Sequence, residues 1–424
     1  MRNLKIYIEI DGKQRFVGNI EGNSYEDACF SYSKEYMVEN YGNPISISLP
    51  FREGQFSAVE TRNFFEGLLP EGFSRRAVAN WIKTDEEDYV TILSVLGREC
   101  LGAIKVVEEE NENDSSYEPL SIKEVKALAE EGATKSTQIL METHLSLTGA
   151  TGKVGLYYDG SKDKWYLPKG DAPSTHIVKQ SHVRLAQIVL NEQLCMFAAK
   201  ESGIEIPEVF VVNTGSGKDS EVLYATKRYD RKANSGRIIS GHEAPDRLHQ
   251  EDFAQAMGIR AVDKYEKVDS GYLRKMFALV RENCADPIGE QKKLWKMVCF
   301  NYLIGNTDCH IKNYSLLYES NLKRIGVAPA YDIVCTGVYN STKEMSFYIG
   351  GEVNIEKINR KHFETAAKDV DMSVNMAMRV FDDLANGFEK SVKQAGEDMK
   401  KIGMPGVKRL QDKIIASGGY ALLQ

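Results

Sequence analysis

No two cysteines in this chain form a Cys-x-x-Cys pair, and the seven present (Cys29, Cys100, Cys195, Cys284, Cys299, Cys309 and Cys335) are scattered and odd in number. That argues against a disulfide scaffold and a structural zinc site, and reads as the reduced thiols of a cytoplasmic protein. Long hydrophobic runs are also lacking, so no membrane span is expected. At the N-terminus Leu4, Ile6, Ile8 and Ile10 alternate with Lys5, Tyr7 and Glu9, the pattern of a half-buried strand and not of an apolar signal segment. There is no basic excess: a net charge of -7 and a pI near 5.7 give no whole-protein footprint for direct nucleic-acid binding. Repeats at solenoid or propeller periods are missing. What remains is a globular composition, 42% apolar and 27% charged, over 424 residues, enough for two or three lobes with a cleft.

Along the chain, Asp11-Gly12 is a hairpin-turn dipeptide, with a return strand through Arg15, Phe16 and Val17. Ile45 to Leu49 alternates like a strand, Phe64, Phe65, Leu68 and Leu69 have helical spacing, and Ile104, Val106 and Val107 read as a closing strand. Residues 1–107 are therefore expected to form a small α/β module. Residues 108–116 contain no apolar side chain and five acidic ones, a self-repelling solvated connection that marks a boundary. From 119 to about 240 the pattern predicts a short helix, strands, a helix near 185–202, and strands at Ile204–Val212 and Val222–Lys227. Residues 241–424 are mainly helical, with Leu294, Val298 and Tyr302, then Met376, Val380, Phe381 and Leu384, at helical spacing.

Chemistry concentrates in a few places. The apolar helix through Phe300 and Ile304 turns polar after Gly305, giving Asn306-Thr307-Asp308-Cys309-His310-Ile311-Lys312-Asn313. Asp308 and Asn313 have the Asp-x-x-x-x-Asn spacing of a kinase catalytic loop, in which the carboxylate accepts a substrate hydroxyl proton and the amide oxygen ligates Mg²⁺. Asp and Asn after a helix also serve simply as turn formers. Asp332, among Ala330, Ile333 and Val334, suits a second, metal-binding aspartate or a structural one bonded to backbone amides. The run Ser146 to Gly155 is a glycine-containing loop entering a strand, able to bring backbone N–H groups to phosphate oxygens or to act as an ordinary turn. It is not a Walker A loop, since only two residues separate Gly149 from Gly152 and Val154 follows Lys153. His176-Ile177-Val178-Lys179 resembles the Val-Ala-Ile-Lys strand of protein kinases, and Glu192 in the next helix is the candidate partner of Lys179. The alternatives are a surface lysine and a solvated helix charge. The order of the series, glycine loop, strand lysine, helix glutamate, Asp-x-x-x-x-Asn and second aspartate, favours the kinase reading over the separate structural ones.

Assembled, the sequence resembles the HipA family of bacterial toxin kinases over nearly its whole length. The resemblance is carried by Asn63–Glu71 (NFFEGLLPE), Gly97–Ala103 (GRECLGA), Trp165–Gly170 (WYLPKG), Pro173–Lys179 (PSTHIVK), Arg228-Tyr229-Asp230-Arg231, His249-Gln250-Glu251-Asp252 and the Asp308 and Asp332 segments. It implies an α+β, bilobal protein-kinase-like fold with an N-terminal α/β module (1–107), an N-lobe with the glycine loop (119–240) and a helical C-lobe with the catalytic loop (241–424). It implies ATP and Mg²⁺ as cofactors between the lobes. Gly149, Ala150, Thr151, Gly152 and Lys153 would form the phosphate loop, Lys179 would hold phosphates, and Asn313 and Asp332 would hold the metal. Asp308 would be the catalytic base with His310 nearby, Tyr229 would lie at the adenine-side hinge, and Gln250 would line the cleft. Autophosphorylation of Ser146 would place a near-dianionic group in the phosphate loop and silence the kinase. Thr151, where the family pattern has glutamine, and Lys227, where an acidic residue often precedes the hinge, depart from it.

The leading function is then a cytoplasmic serine/threonine kinase toxin, associated with persistence. A small helix-turn-helix antitoxin would be its partner, with DNA met only through that antitoxin. A protein would be its substrate, an aminoacyl-tRNA synthetase being one candidate. An ATP-binding co-repressor acting with the antitoxin is the alternative, disfavoured by the presence of Asp308, Asn313, Asp332 and Lys179. A small-molecule phosphotransferase is disfavoured by the N-terminal module.

Overall fold

The protein was analysed as a computed structural model, which describes residues 2–38, 43–109, 115–130, 133–143, 153–181, 185–233, 235–339 and 341–424. Ser146, Gly149, Ala150, Thr151 and Gly152 lie outside these residues, and so does most of the acidic run after Glu109. Helix and sheet are mixed throughout, and the chain divides into two compact units. One draws on residues within 1–182, 212–261 and 316–325, the other on residues within 183–211, 262–315 and 326–424.

The first unit opens with the expected hairpin. Strands Arg2–Ile10 and Lys13–Gly22 pair antiparallel with Ile10 opposite Lys13, and Asp11 and Gly12 both take positive φ (47° and 72°), as a two-residue turn requires. Cys29–Tyr32 and Ile104–Val107 flank the pair in a four-stranded sheet. Arg2–Ile10 is not half-buried along its length, because Tyr7 and Glu9 are buried as well as Leu4, Ile6, Ile8 and Ile10. Nor is Ile45–Leu49 a strand. The Tyr32 hydroxyl donates to Leu49 O at 2.6 Å and accepts from Ile45 N, while the Glu251 carboxylate accepts from Ile47 N at 3.1 Å and from Ser46 Oγ at 2.5 Å. Side chains satisfy this backbone, so no partner strand is needed. Helix Ala58–Phe65 starts at a capping box of Ser57 and Glu60 and buries Phe64 and Phe65.

A second sheet follows, with Ser116–Pro119, Lys164–Lys169, Lys153–Asp159, His176–Gln180 and Val222–Lys227 paired antiparallel in that order and Val209–Asn213 at its edge. The expected strand from Ile204 starts only at Val209. Helices Ile122–Glu130 and Ala133–Thr143 precede it.

A buried charge cluster organises the same unit. The Glu99 carboxylate accepts from Arg231 Nη2 at 2.8 Å, Arg247 Nη2 at 2.7 Å and Arg228 Nη1 at 3.2 Å. Arg228 also makes a two-pronged contact with Asp230, and Arg247 reaches Glu9. Three guanidinium groups thus meet three carboxylates, Glu9, Glu99 and Asp230, all buried. The three arginines hold the Glu99 carboxyl far below the usual range although burial alone would raise it.

The second unit is mainly helical. Helix Pro287–Ile304 begins at the Asp286 cap with Pro287 in its first turn and buries Leu294, Trp295, Val298 and Tyr302. Helix Val374–Lys401 packs on it and on helix Ile188–Glu201, burying Val380, Phe381 and Leu384, while Met376 is only half-buried. The Trp295 indole donates to Ala377 O at 2.9 Å, fixing the crossing. Among the described residues no helix is long and apolar enough to cross a membrane.

Candidate active site

In the second unit, Gly305 ends helix Pro287–Ile304 in the left-handed conformation (φ 75°), and a Cβ there would lie 2.8 Å from Gly418 Cα. Both the turn and the close approach require glycine. The chain it releases is tied down at once. The Asn306 side chain donates to Asn301 Oδ1 (2.9 Å) and, more weakly, to Asp332 O (3.5 Å), and accepts from Asp308 N at 3.2 Å. Thr307 N and Oγ1 bond to Thr336 Oγ1 at 2.9 and 2.7 Å. Buried Asn306 therefore joins the Asp308 segment to the Asp332 segment. Tyr331 adds a second tie, donating to Lys312 O at 2.9 Å.

Asp308 presents an exposed side chain from this fixed backbone. Asn313 Nδ2 donates to Asp308 O at 2.8 Å, which brings the two motif residues together and leaves the amide oxygen as the lone-pair end of Asn313. Asp332 is half-buried and holds φ 58°, a conformation rare for residues with a side chain and found at functional positions. His310 is buried, with its ring edge-on to Tyr265 at 5.2 Å. Cys309 is buried too, its thiol pushed up to about 12 by burial, so it supplies no thiolate. Glu192, in helix Ile188–Glu201, is 4% exposed, which excludes a solvated helix charge. Its neighbour Asn191 exchanges two bonds with the Cys335 backbone, at 2.9 and 3.1 Å, anchoring the stretch that follows Asp332.

In the first unit, Lys179 lies half-buried on an interior strand, directly opposite Lys153 on one side and Tyr224 on the other. A lysine merely ending a surface strand is excluded. Its ammonium is 5.6 Å from the centre of the Tyr224 ring. The Tyr229 hydroxyl donates to Gln250 Oε1, joining the residue expected at the adenine-side hinge to the one expected to line the cleft. Arg228 and Asp230 clamp the backbone either side of Tyr229, and Gly102 N donates to Asp230 Oδ2 at 2.7 Å. Lys227 is exposed.

Two residues escaped the sequence reading. Asn306 stood in the polar run after Gly305, where a buried amide able to donate and accept at once was a usable signal. Tyr265, whose hydroxyl donates to Asp308 Oδ1 at 2.5 Å, lies 43 residues away and gave none.

Two family models match this sequence: HipA-like C-terminal domain over residues 145–392 and HipA N-terminal domain over residues 8–107. The chain belongs to the HipA family. Among relatives of this HipA-family chain, the putative kinase Y4mE of Sinorhizobium fredii is 29% identical over 399 residues, 92% of this chain and 91% of that protein. The serine/threonine-protein kinase toxin HipA of Shewanella oneidensis is 26% identical over 326 residues, 74% of this chain and 71% of that protein. The fold is that of HipA in the solved complex of Shewanella oneidensis HipA, HipB and operator DNA, with a TM-score of 0.77 at 21% identity, covering 97% of this chain and 96% of that one.

Proposed function

We propose that this HipA-family chain is a Mg-ATP-dependent serine/threonine protein kinase acting as the toxin of a toxin–antitoxin pair, with a bilobal kinase-like arrangement of an N-terminal module (1–107), an N-lobe (119–240) and a C-lobe (241–424). The observation that carries the reading is the Asp308–Asn313 contact, with Asn306 binding that pair to the Asp332 segment. A catalytic loop needs this convergence, and turn formers do not.

The donor set fits Mg²⁺. Asn313 offers an amide oxygen and Asp332 a carboxylate, the hard oxygen donors this ion prefers, and one or two protein ligands beside phosphates and waters are its usual complement. When bound, Mg-ATP supplies the transferable phosphoryl group and the metal that neutralises charge developing on it. This chain's residues do the rest. Lys179, with Lys153 and the loop of Gly149, Ala150, Thr151 and Gly152, would neutralise phosphate charge, while Tyr229 would lie at the adenine-side hinge and Gln250 would line the cleft. Asp308 would take the proton of the acceptor hydroxyl, and buried His310 keeps the loop rigid. Ser146 is the proposed autophosphorylation site.

The partners of the solved relative support a small DNA-binding antitoxin as partner, with DNA met through it. The acceptor is proposed to be a cytoplasmic protein, an aminoacyl-tRNA synthetase being one candidate. Labelled-phosphate transfer from Mg-ATP tests the reading. Wild type should transfer phosphate, Lys179→Ala and Asp332→Ala should lose it, and variants as active as wild type would contradict these roles.

A further inference from the structure

We infer that Tyr265 is a positioning residue for the base, a role that rests on the kinase reading of Asp308. A general base works only where its oxygen meets the acceptor proton. The Tyr265 hydroxyl donates to Asp308 Oδ1 at 2.5 Å, a short charge-assisted bond that orients the carboxylate.

Tyr265 is itself held. Its neighbour Glu266 is buried, and one carboxylate oxygen accepts from Ser270 N (2.7 Å), Ser270 Oγ (3.0 Å) and Tyr272 N (3.0 Å), while the other accepts from Tyr348 N (3.0 Å). Glu266 N donates to Ser346 O at 2.9 Å, and Ser346 Oγ donates to Thr307 O at 2.8 Å, one residue before the base. The loop bearing the phenol and the loop bearing the carboxylate are thus fastened to one strand, Glu344–Ile349. The Tyr265 ring rests edge-on against His310, with the Lys264 ammonium 5.5 Å from its centre. Ring and hydroxyl both address the catalytic loop.

The test is a double-mutant cycle on the full chain, using transfer from Mg-ATP to the chain itself and to dephosphorylated casein. Tyr265→Phe keeps the ring and removes the hydroxyl. It should lower kcat by about 10-fold with KM for ATP unchanged, the loss expected when a bond to a charged group is removed. In the Asp308→Ala background it should cost nothing further, because the hydroxyl acts through that carboxylate and the ring is retained. Unchanged or faster transfer by Tyr265→Phe, a change confined to KM, or a further loss in the Asp308→Ala background would overturn the inference while leaving the kinase reading intact. A wild-type chain that transfers no phosphate would overturn both.

Discussion

Glu251 is a buried carboxyl with polar but uncharged partners, the Ser46 and Tyr318 hydroxyls and Ile47 N, and burial pushes it up to about 7. A carboxyl raised on folding binds its proton more tightly in the native state. The associated stability is fully present below the unfolded value near 4.5 and is lost as pH rises through about 7. Neighbouring His249, lowered to about 4 by burial, has the opposite slope between 4 and 6.5, so the comparison must be between wild type and Glu251→Gln. Unfolding free energies across pH 5 to 8 should show wild type losing about 2.5 kcal/mol of stability relative to the variant. Parallel curves would contradict the assignment. Glu99 has charged partners instead, and Glu99→Gln strands three buried guanidinium groups with less charge than they need. Urea unfolding should show a loss of about 3–5 kcal/mol. Neither environment was legible in the sequence. Glu99 and Arg247 are 148 residues apart and Ser46 and Glu251 are 205 apart, and no local spacing encodes such meetings.

At the level of elements, local chemistry was readable where it was self-sufficient. Asp11-Gly12 makes its hairpin because two residues fix the turn, and the helix ending at Gly305 delivers its polar run as the pattern suggested. Ile45–Leu49 shows the limit, since alternation describes which way side chains point but does not supply a partner strand. Asp308 and Asn313 could be found by spacing, whereas the stitching of Asn306 to Asp332 and of Thr307 to Thr336 depends on a segment more than twenty residues further along the chain. Gly305→Ala should test the delivery of the loop. With positive φ and Gly418 in the way it should cost at least about 1 kcal/mol in thermal unfolding. Phosphate transfer should also fall more than that loss of folded protein explains. A stable variant of normal activity would show that the cap does not set the loop.

For the whole molecule, each compact unit draws on three separate stretches, an interleaving that composition and charge runs along the chain do not register. Net charge does make a prediction at this scale. At -7, the chain alone should not retard duplex DNA at physiological salt, and retardation should appear only with a helix-turn-helix partner. A shift by the isolated chain would contradict an antitoxin-mediated contact. The central claim, phosphoryl transfer with Asp308 as base, is tested most directly by intact and peptide mass after incubating dephosphorylated protein with Mg-ATP, beside Asp308→Ala. The account predicts added phosphate on wild type, mapping to Ser146, and a rate lower by about 10²–10⁴-fold in the variant. No added phosphate on a wild-type chain that binds ATP, or equal phosphate on both proteins, would contradict it.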